Sequence, residues 1–413
     1  MIKKIFVHIG VHKTGSTSIQ QMLGRNREIL IKHGFLYPVF KARSANIFNH
    51  SVPFVSMFKK NPETLRYNRI NNFTNQSELD ILHQRYDEQL NDQIGQFEGD
   101  ALIFSGEGIS AFSEEELRIF KSFLINCTFP NVNIQVIMFC RNPLYRIRSK
   151  VIERIRGGEF QNITFSRGFN VISYYQNIFA SFSDVFTKDM IKVIRFEDAI
   201  QHSSGPLGAL LEAIGAETDL ISQFKNERHN TASSYEAIAI FSAIHENLPK
   251  VKGVPYSFQG KTRKVLINMP GQKFALPLSK QRKIWEQAKE DIDWLCKTFS
   301  LPYYKFEEEE VPAISGRWSS ETLKYLFDSM HKLPDPVKKI ILEVLLHELK
   351  VNKREFGLQK QRQIFGFITH YSINLQLGAK TEKLKYFMKK LGIVQGMLHS
   401  GLYYLSKRSN SFS

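Results

Sequence analysis

Apolar residues gather first into short runs, over residues 5–9, 101–104, 134–140 and 191–196, rich in Ile, Val and Phe. None of them alternates strictly between apolar and polar. A strand with one wet face would alternate with a period of two, whereas a short continuous run marks a strand covered on both faces, as in parallel sheets. Between the runs, apolar positions recur every three or four residues, which predicts helices over 18–33, 77–96, 113–126, 143–157 and 169–186. Strands alternating with helices predict an α/β domain on a parallel central sheet. Helical patterns then follow one another over 205–215, 233–247 and 279–300.

The acidic run 307–310, with Pro312 and Gly316 behind it, marks a boundary. Beyond it the pattern stays helical. Pro334 and Pro336 open one helix, and breaks fall near Gly357, Gly378 and Gly392. The expected organisation is an α/β domain over 1–310 and a basic helical C-terminal extension over 311–413. Residues 38–76 form a long connection rich in Asn and aromatic residues, and long connections in α/β domains are often functional.

Composition narrows the class. The chain has 413 residues, 42% hydrophobic and 23% charged, which excludes a wholly disordered or collagen-like protein. Three scattered cysteines, Cys127, Cys140 and Cys296, argue against a disulfide framework and a zinc site. No stretch reaches the ~18 to 20 apolar residues that cross a bilayer. The apolar run after Lys3 and Lys4 is short and lacks a cleavage site, so a cytoplasmic location is expected. There are 56 basic and 40 acidic residues, a net charge of +16. Residues 311–413 hold 17 basic and 7 acidic of these, so the last quarter carries most of the excess. Such a balance favours polyanionic partners: nucleotides, anionic glycans, nucleic acid or a membrane surface.

The densest chemical signal is Gly10-Val-His12-Lys13-Thr14-Gly15-Ser16-Thr17, directly after the first apolar run and directly before a helix. Two glycines let the backbone turn tightly, and the N–H groups and dipole at the helix start attract phosphate. The string departs from a Walker A loop, which would carry lysine where Ser16 stands. A second signal follows the third run: Arg141-Asn142-Pro143, with Arg146 and Ser149 in the helix that Pro143 opens. An arginine there offers the forked donor geometry that suits phosphate.

Together these motifs resemble the sulfotransferases that use 3′-phosphoadenosine 5′-phosphosulfate (PAPS), in their bacterial carbohydrate sulfotransferase-like branch. Lys13-Thr-Gly15-Ser16-Thr17 matches the 5′-phosphosulfate loop, and Arg141 with Ser149 eight positions on matches the 3′-phosphate motif. Arg195-Phe196-Glu197-Asp198 and Arg228-His229-Asn230 are weaker echoes of the same family. The resemblance covers roughly residues 3 to 250. It implies a P-loop-type fold, PAPS as cosubstrate with no metal, and transfer to a hydroxyl of a carbohydrate or glycolipid. Lys13 would stabilise the leaving group; Thr14, Gly15, Ser16, Thr17, Arg141, Ser149 and Arg228 would hold the nucleotide.

A general base must lie within hydrogen-bond reach of the acceptor hydroxyl. Glu107, after the run 101–104, stands at the sheet edge where ligands bind in open parallel sheets. His50, in the long connection, is the second candidate; His8 reads as a core histidine, and His12 flanks the loop. A P-loop kinase using ATP and Mg²⁺ is the rival enzyme class, and Ser16 and the Arg141–Ser149 pair speak against it. A nucleic-acid-binding protein would suit the charge, but no helix-turn-helix, RNA-recognition or zinc signature is present. The basic extension is expected to contact acceptor or an anionic membrane face.

Overall fold

The computed structural model describes residues 1–11, 13–128, 131–158, 172, 174–224, 233–249 and 260–374. Five strands, β1 (Lys4–Gly10), β2 (Phe35–Leu36), β3 (Ala101–Ser105), β4 (Asn133–Cys140) and β5 (Ile191–Arg195), form one parallel sheet in the order β2-β3-β1-β4-β5. The fold is α/β, as the alternation of runs and helical patterns implies. Four strands lie on the four apolar runs; β2, two residues long, is too short to leave a pattern. Ile5, Val7 and Ile9 are buried on one side of β1 and Phe6 and His8 on the other, which is why the run does not alternate.

Register brings the chemistry to one edge. Lys4–His8 of β1 lie opposite Ala101–Ser105 of β3, and Lys4–Gly10 lie opposite residues 133–139 of β4. The three central strands therefore finish side by side at Gly10, Ser105 and Cys140. The glycine loop, Glu107 and Arg141 each follow one of these ends.

The helix expected over 18–33 is two helices, Ser16–Arg25 and Arg27–Lys32, broken at Asn26, where φ is −106° and the side chain donates back to the Met22 carbonyl at 2.8 Å. Asparagine competes with the helix in this way because its amide can replace a backbone partner. The helices Gln76–Gly95 and Glu114–Asn126 start at full capping boxes, Asn75 with Glu78 and Ser113 with Glu116. The long connection is tied to the first of them by side chains one helical turn apart. Gln93 exchanges two hydrogen bonds with the backbone of Val39 (2.9 and 3.0 Å), and Gln89 exchanges two with Lys41 (2.7 and 2.9 Å). Arg85 donates to the Ala42 carbonyl at 2.6 Å.

The chain divides into two compact units. One comprises Met1–Ile147, Phe169–His229 and Arg282–Glu307; the other comprises Arg148–Gly168, Asn230–Gln281 and Glu308–Ser413. The membership of 148–168 and 230–281 in the second unit leaves no trace in the sequence pattern. All five strands belong to the first unit. The second is helical in its described residues: Asp335–Val351 packs against Tyr235–Asn247 and Leu358–Asn374, with Val337, Ile341 and Leu345 buried. Inside it, the buried Glu236 carboxylate accepts the N–H groups of Gln272 and Trp318, both at 3.0 Å. No helix among the described residues is long and apolar enough to cross a membrane.

Candidate active site

The loop after β1 is shaped by its glycines. A Cβ on Gly10 would lie 2.7 Å from Thr14 Oγ1, and that hydroxyl is committed to the Val11 carbonyl at 2.7 Å. Gly15 caps the helix Ser16–Arg25 with φ 73°, and its carbonyl accepts the N–H groups of Ser18 and Ile19 at 3.0 and 3.2 Å. A side chain there would bring strain of about 1–2 kcal/mol and crowd the Phe196 ring, 3.1 Å from the Cβ position. Lys13 takes the same left-handed region, φ 78°, without being glycine. Strain of this kind collects at functional sites. The loop ends at the first turn of a helix, whose N–H groups have no partner within the helix and suit an anion.

Glu107 reaches this loop from β3. It opens a 3₁₀ turn, Glu107–Ala111, held by Ser110 Oγ donating to the Glu107 carbonyl at 2.7 Å and by Gly108 N donating to Ser51 Oγ at 2.8 Å. Its Oε2 accepts the Ser16 hydroxyl at 2.7 Å. Oε1 has no hydrogen-bond partner among the described residues. The carboxylate is thus anchored through one oxygen at the start of the helix Ser16–Arg25.

His50 is placed differently. Its Nδ1 accepts the Ser105 N–H at 3.0 Å and its Nε2 donates to the Pro38 carbonyl at 2.7 Å. The ring stacks on Tyr37 at 4.4 Å between centroids and is enclosed by Phe40, Phe54 and Phe104. Burial pulls its pKa down to about 3. With both nitrogens bonded to backbone, His50 ties the long connection to β3 and has no lone pair for an acceptor proton; the expectation of a base there does not fit this geometry. His8 is a core histidine: it is buried, bonded to Ser105 Oγ at 2.8 Å, set edge-on to Phe139, and also pulled down to about 3 by burial.

Arg141, at the end of β4, donates from Nη1 to the Lys13 carbonyl, so the two motifs meet. Its guanidinium lies over the Phe196 ring, 5.1 Å from the centroid, and Phe196 is the same ring that lies beneath Gly15. The Tyr175 hydroxyl accepts from Arg141 N at 2.9 Å and donates to Arg141 O at 2.6 Å. Glu197 accepts the Asn142 N–H at 3.0 Å; burial holds its carboxyl above the usual range, and burial lowers the Arg141 guanidinium. The segment Arg195-Phe196-Glu197-Asp198, a weak echo in the sequence, therefore touches both the glycine loop and the Arg141–Asn142 segment. Asn142 Oδ1 accepts Leu144 N at 2.9 Å and caps the helix Pro143–Arg156, on which Ser149 is half-buried.

Tyr174 lies within electrostatic reach of Glu107 and carries a buried arginine on its ring. Arg146 is fully buried, with its guanidinium 3.6 Å from the centroid of the Tyr174 ring. Burial raises the Tyr174 phenol, which also feels the charges of Arg146, Asp291 and Glu107. Asp291 fixes the start of the helix Tyr174–Ser183 by accepting Tyr175 N at 2.8 Å and Gln176 N at 2.9 Å. Arg146 stands inside the 141–149 motif and was visible there; Asp291 is distant in the chain and has no local signal. Tyr175, Phe179 and Phe182 are buried, so they form core and not a sugar platform. His12 and Arg228 lie outside the described residues. Cys140 is buried and its thiol is pushed up to about 12 by burial, far from a nucleophile's range.

Among solved structures, the chain resembles a sulfotransferase from Alicyclobacillus acidocaldarius, with 14% identity and a TM-score of 0.38 over 73% of this chain and 98% of that one. It also resembles the sulfotransferase domain from the curacin biosynthetic pathway, with 14% identity and a TM-score of 0.29 over 81% of this chain and 99% of that one. No family model and no curated protein matches the sequence.

Proposed function

We propose that this chain is a sulfotransferase that moves a sulfuryl group from PAPS to a hydroxyl, with a carbohydrate or glycolipid as acceptor. One observation carries the reading: the Ser16 hydroxyl is bonded to Glu107 and the Lys13 carbonyl to Arg141, so the glycine loop is tied on both sides at the ends of the three central strands. The glycine loop would take the 5′-phosphate on the backbone of Thr14, Gly15, Ser16 and Thr17. Arg141, with Ser149 further along the helix, would take the 3′-phosphate. Glu107 accepts the acceptor's proton on Oε1 while the acceptor oxygen bonds to sulfur. The bond from sulfur to the bridging phosphate oxygen breaks, and Lys13 stabilises the charge left on adenosine 3′,5′-bisphosphate. A sulfuryl group carries less charge than a phosphoryl group, so a metal ion is not required for this displacement.

The kinase alternative has less support, because Ser16 occupies the Walker lysine position and is bonded to a carboxylate. The test is incubation with ³⁵S-labelled PAPS and a panel of saccharides, glycolipids and small alcohols, beside ³²P-labelled ATP with Mg²⁺. Label transfer from PAPS that is lost in Lys13→Ala supports the reading. Transfer from ATP alone overturns it.

A further inference from the structure

We infer that a lateral cleft in the first unit is a second binding site, one for a hydroxylated anion of the sugar-acid class. The cleft holds about 450 Å³ and is lined by Gly24, Arg27, Val39, Lys41, Asn46, Phe48, Gln89, Asp92, Gln93 and Gln96. That volume suits a mono- or disaccharide-sized ligand. It opens beside the C-terminal end of the helix Ser16–Arg25, whereas the glycine loop sits at its N-terminal end. A helix of 10 residues spans about 15 Å, so the two sites are separate.

Three features define the ligand. Arg27 is half-buried, and its Nε is fully enclosed with no hydrogen-bond partner. Among the described residues no carboxylate lies within ion-pair distance of it, and burial alone lowers its guanidinium. A half-enclosed cation that makes no ion pair with the Asp92 carboxylate in the same lining calls for an oxyanion, and the guanidinium fork suits a carboxylate or sulfate. Lys41 at the rim adds a second positive charge. The remaining lining is mostly polar, with Asn46, Asp92 and Gln96 at the exposed rim, which suits ring hydroxyls and not an apolar body. Finally, the walls are already fixed: Gln89 and Gln93 spend their amides on the backbone of Lys41 and Val39, so the cleft needs no rearrangement to accept a guest.

This site does not depend on the transfer chemistry, and its test is separable. Methyl β-D-glucuronide and the uncharged methyl β-D-glucoside are titrated into the full-length protein, followed by saturation-transfer NMR and calorimetry. Glucuronide is expected to bind with a Kd of about millimolar, and glucoside at least about tenfold more weakly. Arg27→Gln should cost glucuronide about tenfold or more, and Arg27→Lys, which keeps the charge but not the fork, should cost less. Lys13→Ala should leave glucuronide binding intact, and Arg27→Gln should leave adenosine 3′,5′-bisphosphate binding intact. No glucuronide binding, equal binding of both glycosides, or binding that Lys13→Ala removes and Arg27→Gln spares would each overturn the site.

Discussion

The Ser16 hydroxyl donates to the Glu107 carboxylate at 2.7 Å, although 91 positions separate the two in the chain. Ser16 begins the helix that opens at the phosphate loop, and Glu107 begins the turn after β3. The bond orients the carboxylate through Oε2 alone, and in the proposed reaction Oε1 would take the acceptor's proton. Glu107→Gln keeps the shape and can still accept from Ser16, but it cannot take a proton. Turnover should fall by about 10²-fold or more, with little change in nucleotide affinity. Ser16→Ala should show a smaller loss in rate. Steady-state kinetics beside calorimetry separate the two, and a fully active Glu107→Gln would move the base elsewhere.

On the proposed reading, Arg141 would set the nucleotide preference. Adenosine 3′,5′-bisphosphate should bind at least about tenfold more tightly than ADP, since a charge-assisted bond to a second phosphate is among the stronger ones. Arg141→Ala should erase most of that difference. Equal affinities in the unaltered protein, by calorimetry, would remove the 3′-phosphate contact.

Lys13 combines strain with charge. Its left-handed backbone is paid for by the fold, so Lys13→Gly should leave the melting temperature unchanged or slightly higher while turnover is largely lost. Lys13→Ala keeps the strain and should lose turnover without that gain. A melting temperature that drops in Lys13→Gly would show that the side chain supports the fold.

His8 and His50 make stability fall in acid. Each is held near 3 in the folded chain against 6.5 when free, so the unfolded chain takes up protons that the folded one refuses. Their contribution is fully present above about pH 6.5 and is lost as pH falls toward 3, by about 1.4 kcal/mol per pH unit for each histidine. Urea unfolding at pH 7.5, 6 and 5 should show this decline, and His50→Gln should flatten it. A flat profile in the unaltered protein would mean that these rings are not buried neutral.

The C-terminal residues 375–413 hold seven basic residues and one acidic one, including Lys383, Lys385, Lys389 and Lys390. A chain ending at Asn374 should keep its fold and bisphosphate binding, while its salt-dependent binding to anionic vesicles falls. A chain ending at Glu310 should instead lose the second unit, because the helix Asp335–Val351 packs against Tyr235–Asn247. Vesicle binding that survives removal of 375–413 would place the anionic-surface contact elsewhere.

Much of this was legible in the sequence because it is local. The runs at 5–9 and 134–140 declare buried parallel strands, and Gly10, Gly15 and Lys13 declare a loop with a task. The position of Glu107 followed from the strand before it. What stayed hidden depends on distant partners. His50 stood second to Glu107 on paper, and only the bonds from Ser105 and to Pro38 show that the histidine's nitrogens are spent. Phe196 looked like one residue of a faint echo, since nothing local says that its ring lies under both Gly15 and Arg141. Asn26 could have been read as a break within 18–33, because an asparagine between two helical stretches is a common stop.

The paired amides of Gln89 and Gln93 have a consequence for the sheet's outer border. Beyond Leu36 the chain leaves the sheet, and backbone groups left open beside an edge strand can template the addition of a foreign strand. Two glutamines one turn apart on a helix imitate a neighbouring peptide and close each of those residues from the side. The imitation offers nothing further to copy, because its other face is a helix. The backbone of Val39 and Lys41 is therefore closed to a foreign strand, and replacing both glutamines with alanine would turn a sealed margin into a sticky one.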